Sequence, residues 1–220
     1  MGAFLVFEGP EGGGKSTQAR ALADRLARER YPVVLTREPG GTALGDAIRQ
    51  ILLPASTVAI SARSEALLYS ASRAQLVEEV IRPSLDRGQV VVSDRFSYST
   101  IAYQGYGRGL GVEPVASVVH FATGGLTPDL VILLDLEPRL GLERKRGDFL
   151  AGSTAAWNRF EEEDLAFHQR VREGYLAMAK ADPERWLVLD ASLPFGTLQD
   201  RIMGIVSALL DRKGVLRRPA

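Results

Sequence analysis

No cysteine occurs among the 220 residues. That excludes a disulfide framework and any zinc or iron–sulfur centre held by thiolates. Charge of one sign is not in excess either, since Lys and Arg total 27 and Asp and Glu total 27. A dedicated DNA- or RNA-binding surface shows as a basic excess, so that class is disfavoured, while a locally basic site stays open. Long apolar runs are missing too. The N-terminal one, Ala3 to Phe7, is far too short to cross a membrane and meets Glu8 at once. There is no signal-peptide pattern, and Val6 stands where a myristoylation motif beginning at Gly2 needs Ser or Thr. No internal repeat or low-complexity tract is seen. The expectation is a cytoplasmic protein with neither membrane nor nucleic acid as partner, folded as a single domain over residues 1–220.

What is present is a complete G-x-x-x-x-G-K-[ST] loop, Gly9-Pro10-Glu11-Gly12-Gly13-Gly14-Lys15-Ser16. Ala3-Phe4-Leu5-Val6-Phe7 before it suits a buried strand. Ala19, Leu22, Ala23, Leu26 and Ala27 after it have helical spacing. Strand, glycine loop and helix thus come in the order a phosphate cradle requires. Backbone N–H groups can turn inward around a polyphosphate, and the helix N-terminus adds favourable dipole charge. Lys15 can reach the β- and γ-phosphates, and the Ser16 hydroxyl can ligate Mg²⁺. The loop therefore implies a bound nucleoside triphosphate. Gly9, Pro10, Glu11, Gly12, Gly13, Gly14, Lys15, Ser16 and Thr17 are its expected contacts.

The rest of the chain alternates short apolar strands with helical patterns. Strands are expected at Val33–Leu35, Val90–Ser93, Leu130–Leu136 and Trp186–Leu189. Helices are expected over Gln18–Arg30, Leu44–Leu52, Ala62–Ile81 (leaving at Pro83 and Gly88), from Glu113-Pro114 onward, Phe160–Ala181 and Leu198–Leu210. Near-continuous apolar strands separated by helices predict an α/β fold with a doubly wound parallel sheet. The active site should then lie at the strands' carboxyl ends. That rim receives Glu8 to Ser16, Arg37-Glu38, Asp94-Arg95 and the segment after Leu136. Asp94 has the form of a Walker B acid that positions Mg²⁺, with a helix cap or turn as the alternative. Arg95 offers a fork of donors to an anion or to a structural carboxylate. Arg144-Lys145-Arg146, followed by Gly152-Ser153-Thr154-Ala155-Ala156, suits a hinged basic lid over about 142–160, or else a solvated helix face.

No guanine-reading Asn-Lys-x-Asp motif is present, which disfavours a GTPase switch, and a motor or transport ATPase is normally larger. A small kinase remains. Thr36-Arg37-Glu38-Pro39-Gly40-Gly41-Thr42, Tyr69-Ser70-Ala71-Ser72-Arg73 and Asp94-Arg95-Phe96-Ser97-Tyr98-Ser99-Thr100-Ile101-Ala102-Tyr103-Gln104-Gly105 resemble thymidylate kinases of the bacterial kind, from about Phe4 to Leu210. The resemblance implies transfer of the γ-phosphate of ATP to dTMP with Mg²⁺, by a homodimer. In it, Tyr69 stacks on thymine, Arg73 and Gln104 read the base, and Tyr103 lies under the deoxyribose. Glu11 binds the sugar 3′-hydroxyl. Arg95 and Arg49 hold the dTMP phosphate, with Thr100 a nearby polar contact and Arg37 and Glu38 on the same wall. The phosphate loop of this kind lacks an arginine, so the resemblance makes Lys15, Arg95, Arg144 and Arg146 the catalytic cations, and Ser16 and Asp94 the metal site. Adenine would sit near the lid and the segment after Asp190.

Three departures stand out. Phe96 replaces a usual Tyr or His, Asn158 replaces the Asp of an Asp-Arg-hydrophobic-Glu motif and leaves a lid salt bridge open, and Gly147–Trp157 is long. The helix carrying Leu67, Leu68, Ala71 and Leu76 is a candidate dimer contact or else core. Another nucleoside monophosphate kinase, a regulatory ATP-binding module and a nucleic-acid end kinase are the rival readings. Tyr69, Arg73 and Gln104 speak against the first, the intact Lys15 and Ser16 against the second, and the neutral charge against the third.

Overall fold

In the computed structural model, residues 2–54, 59–151 and 158–218 are described. Five strands make one parallel sheet: β1 (Ala3–Glu8), β2 (Val33–Arg37), β3 (Val90–Asp94), β4 (Leu130–Asp135) and β5 (Trp186–Asp190), in the order β2-β3-β1-β4-β5. The central strand β1 is buried along its whole length, and its alternation feeds two cores. Ala3, Leu5 and Phe7 pack with Leu22 and Leu26 of α1 (Lys15–Arg28) and with Ile202, Val206 and Leu210 of α9 (Phe195–Lys213). Phe4 and Val6 face the other way, toward Leu76, Val77, Ile81 and Phe96. Phe96 packs edge-on against Phe4 and is fully buried, so it serves as core.

Helix α2 (Ala43–Leu52) begins at Thr42, whose hydroxyl accepts from Gly45 N at 3.0 Å. Helix α3 (Ala62–Leu76) begins at Ser61, whose hydroxyl accepts from Ser64 N. It does not stop before Pro83. A π-helical turn, Val77–Ile81, carries it into α4 (Arg82–Asp86), and Arg82 N reaches back to Val77 O. Proline lacks an N–H and its ring crowds the preceding turn, and the wider π turn takes up both problems. A second π stretch, Ile101–Gly107, follows the short α5 (Ser97–Thr100) and precedes α6 (Val112–Thr123).

The charged run after Leu136 forms one helix, α7 (Pro138–Leu150), with the Glu137 carboxylate accepting from Leu140 N at 3.0 Å. The Gly152–Ala156 part of the expected lid lies outside the described residues. Helix α8 (Leu165–Ala181) starts later than its periodicity suggested, because the Asp164 carboxylate caps it at Phe167 N and Phe160–Glu163 form turns. Register puts the business end on one rim. Phe7 and Arg37 both pair with Asp94, so Glu8, Arg37 and Asp94 arrive together at the strands' carboxyl ends.

Candidate active site

A cleft of about 1330 Å³ opens on that rim. At one end the loop after β1 curls over Lys15, which is nearly buried and donates from Nζ to Pro10 O at 2.6 Å. Burial, reinforced by Arg95, lowers its pKa to about 8 against the opposing pull of Glu11, Asp94 and Glu8. The Ser16 hydroxyl donates to Asp94 Oδ2. A hydroxyl and a carboxylate side by side are hard oxygen donors suited to Mg²⁺. Among the described residues no group of three or more His, Cys, Asp or Glu could hold a metal. Phosphate oxygens and water would therefore complete the shell. Gly12 has φ +71, and a Cβ there would lie 2.2 Å from Gly141 O; a Cβ on Gly141 would lie 2.2 Å from Glu11 O. The loop and the first turn of α7 thus pack backbone to backbone.

Arg95 joins this end to the rest of the cleft. It has φ 72, a left-handed conformation that costs a non-glycine residue about 1 kcal/mol or more. The strain is offset by five acceptors around its two Nη groups. Nη1 donates to Gly9 O, Ser99 Oγ and Tyr175 OH at 3.1–3.2 Å, and Nη2 to Glu11 at 2.7 Å and Tyr103 OH at 3.1 Å. Glu11 is held as an anion. Burial pushes its pKa up, but Arg95 and Lys15, with the Tyr103 hydroxyl at 2.8 Å, bring it down to about 2.

Behind Arg95 sits Glu8, fully buried at the end of β1. It accepts from Phe96 N at 2.9 Å, Ser99 N at 3.2 Å, Ser99 Oγ at 2.6 Å and Tyr175 OH at 2.9 Å. Burial raises its pKa despite those donors and Arg95. Sequence reasoning put Glu8 on the rim without giving it a role, and passed over Ser99 and Tyr175. An acidic residue ending an otherwise apolar strand was the available signal for Glu8; nothing local marks Tyr175, which stands 167 residues away.

At the other end of the cleft lie Tyr69, Thr100, Tyr103 and Gln104, with Glu38 and Arg49 on its wall. Arg49 donates to Pro39 O at 2.9 Å across the turn that follows the cis Glu38–Pro39 bond. Arg73 is buried behind this end. It grips Glu38 Oε2 with Nε at 2.9 Å and Nη2 at 2.6 Å, and Nη2 also reaches Thr100 Oγ1 at 2.9 Å and Phe96 O at 3.1 Å. Nη1 of Arg73 and Oε1 of Glu38 are buried with no partner among the described residues. Two unpaired groups of opposite polarity beside a cleft are costly unless a ligand meets them. Burial raises the Glu38 pKa to about 7 against the pull of Arg73.

The basic segment divides. Lys145 lines the cleft and pairs with Glu161 at 3.2 Å, and Phe160 closes the wall beside Tyr103, ring centroids 5.4 Å apart. The Asn158 side chain donates to Glu161 at 2.9 Å, and Arg159 pairs with Glu65 at 2.6 Å. Asn158 itself carries no charge and makes no ion pair; the ion pairs of this segment are Lys145–Glu161 and Arg159–Glu65. Arg144 points elsewhere, donating to Ala191 O at 3.0 Å, and Arg146 is exposed. Of the three consecutive cations, Lys145 alone lines the cleft.

Against known proteins, the sequence profile described as thymidylate kinase matches residues 7–202. The chain belongs to the thymidylate kinase family. Curated proteins named thymidylate kinase include one from Roseiflexus castenholzii, 49% identical over 96% of this chain and 95% of its own length. Another, from Desulfovibrio desulfuricans, is 50% identical over 96% and 98%. A crystal structure of thymidylate kinase from Ehrlichia chaffeensis superposes with a TM-score of 0.74 at 30% identity, covering 93% of this chain and 98% of that one. In this member of the thymidylate kinase family, the doubly wound sheet and its glycine loop are those expected of a P-loop kinase.

Proposed function

We propose that the chain transfers the γ-phosphate of ATP to dTMP, giving dTDP and ADP, as a cytoplasmic homodimer. Membership of the thymidylate kinase family supports the reaction. The single observation that carries the mechanism is one continuous cleft. Gly14, Lys15, Ser16 and Thr17 line one end, Tyr69, Thr100 and Gln104 the other, and Arg95 lies between them.

ATP would lie with its phosphates in the loop, where Lys15 and the backbone N–H groups counter their charge. Ser16 and Asp94 would hold Mg²⁺, which would supply positive charge to neutralise the phosphates. The base of dTMP stacks on Tyr69, with Arg73 and Gln104 toward its edge and Tyr103 beneath the sugar. Glu11 receives the 3′-hydroxyl, and Arg49 and Arg95 face the acceptor phosphate. Because a phosphate monoester has a second pKa near 6, the acceptor is already a nucleophile at neutral pH. One of its oxygens attacks Pγ, the bond from Pγ to the β-bridging oxygen breaks, and ADP departs. No general base is needed. Alignment and charge neutralisation supply the rate, with Arg95 keeping two anions together and Lys145, Arg144 or Arg146 closing from α7.

A coupled ADP-release assay with ATP and Mg²⁺ tests this, offering dTMP, dUMP, UMP, dCMP, AMP and GMP in parallel. Turnover should favour dTMP, fall by about 10²–10³ in Lys15→Ala, and lose base selectivity in Arg73→Ala. ATP binding without any acceptor-dependent turnover would sink the kinase and leave a regulatory module.

A further inference from the structure

Glu65 takes no part in the phosphate chemistry, yet it is a fully buried carboxylate behind the acceptor end. It lies in the first turn of α3, one turn before Tyr69. Four donor atoms from two segments, the Ile101–Gly107 stretch with its cap Arg108 and the turn at Arg159, converge on it. Gln104 Nε2 donates to Oε1 at 2.5 Å, Arg108 reaches Oε1 at 3.4 Å and Oε2 at 3.3 Å, and Arg159 donates to Oε2 at 2.6 Å. Arg159 balances the buried charge, and Arg108, shared with Glu163 at 2.6 Å, adds to it, so the amide is not required for neutrality. What the contact does to Gln104 is the informative part. The two ends of a carboxamide are alike in shape and opposite in hydrogen bonding. A carboxylate paired with two arginines offers only acceptors, so the end turned to Glu65 is the NH₂. Gln104 is itself buried and lines the cleft, which leaves its carbonyl oxygen as the end for a ligand.

We propose that Glu65 is a specificity-positioning residue. By holding the NH₂ of Gln104 it turns the amide carbonyl to the cleft, and the site then takes a pyrimidine with a ring N–H between two carbonyls and refuses one with a bare ring nitrogen there. This deepens the proposed function and rests on its reading that a nucleotide base stacks on Tyr69. Thymine and uracil carry a hydrogen on N3, whereas cytosine presents a lone pair. A carbonyl facing that lone pair is repelled and left unpaired, which is discrimination by an unsatisfied polar group. Once the Glu65 charge is gone, the amide can rotate end for end and donate to cytosine instead. Glu65→Ala would also release Arg159 and Arg108 into a cavity, so the isosteric Glu65→Gln is the variant of choice.

The test measures kcat and KM for dTMP and dCMP in the parent, Glu65→Gln, Gln104→Ala and the double variant. Glu65→Gln should raise KM for dTMP more than it lowers kcat, and cut the dTMP-over-dCMP ratio of kcat/KM by about tenfold or more. In the Gln104→Ala background the same change should add nothing, since Glu65 acts through that amide. An unchanged ratio in folded Glu65→Gln, or a full additional loss on top of Gln104→Ala, overturns the positioning role and leaves the dTMP reading intact. A parent enzyme that does not prefer dTMP overturns the dTMP reading itself. Should Glu65→Gln fail to fold, the parent answers by NMR. The Gln104 NH₂ signals, assigned by their loss in Gln104→Ala, should exchange slowly with water before any nucleotide is added; exchange as fast as an exposed amide overturns the proposal.

Discussion

Lys15 shows how much of this site's behaviour is set residue by residue. Burial and the neighbouring Arg95 hold its pKa at about 8, below the lysine value of 10.5, so the cation that meets phosphate is present below that pH and lost above it. A pH profile of kcat/KM for ATP, which reports the free enzyme, should therefore fall as pH rises through about 8. At saturation the bound polyphosphate stabilises the cation, and kcat should hold to higher pH. On the acid side, kcat/KM for dTMP should fall below about pH 6 as the acceptor phosphate is protonated. A profile for ATP that stays flat past pH 9 or so would mean Lys15 is not the group that matters. Glu8 makes a structural prediction at the same scale. Its four accepted hydrogen bonds fix the turn that sets Arg95 in its left-handed conformation. In Glu8→Gln the NH₂ can face only the Ser99 and Tyr175 hydroxyls, which must then accept instead of donate, and the charge opposite Arg95 is lost. Urea unfolding should show a loss of about 1–3 kcal/mol, and kcat should drop as Arg95 loses its seat.

At the scale of elements, the contact between the phosphate loop and α7 decides a case in which two effects oppose. Gly141 lies inside a helix, where replacement by Ala ordinarily gains up to about 1 kcal/mol. Here the added Cβ would stand 2.2 Å from Glu11 O, and a backbone carbonyl cannot swing aside. Overpacking of that kind costs about 1–3 kcal/mol. The collision wins, so Gly141→Ala should lower the melting temperature and raise KM for ATP by displacing the loop. A melting temperature that rises instead would show the loop free to move away. The two π-helical stretches belong to this scale as well. The first lets the chain pass Pro83 without ending the helix; the second delivers Tyr103 and Gln104, adjacent in sequence, as buried residues on the cleft.

For the whole molecule, α2, α3 and α6 pack side by side and leave an apolar face outward. Leu67 is 57% exposed and Phe121 89%, with Leu44, Ile51 and Ala71 also outside, whereas Leu76 is core. This is the face on which the proposed homodimer would form. Sedimentation should give twice the chain mass for the parent and the monomer mass for Leu67→Arg. A parent that sediments as a monomer at micromolar concentration would remove the dimer. No helix among the described residues is long and apolar enough to cross a membrane.

The order of the chain determined a good deal without help from tertiary structure. Strand, glycine loop and helix are adjacent in sequence, so the nucleotide end was legible from one local motif, and buried parallel strands announce themselves by unbroken apolar runs. The strand order was not legible, because which strands pair depends on crossovers between distant segments. Nor was the division of labour among Arg144, Lys145 and Arg146: neighbouring residues on a helix point in different directions, and only the placement of α7 against the loop sends Lys145 to the cleft and Arg144 to Ala191. Glu8, Ser99 and Tyr175 come together from three parts of the chain to seat Arg95, as Glu65, Arg108 and Arg159 do around Gln104. Such clusters have no sequence period. They exist because buried charge must find partners wherever the fold brings them, and that choice is made in three dimensions.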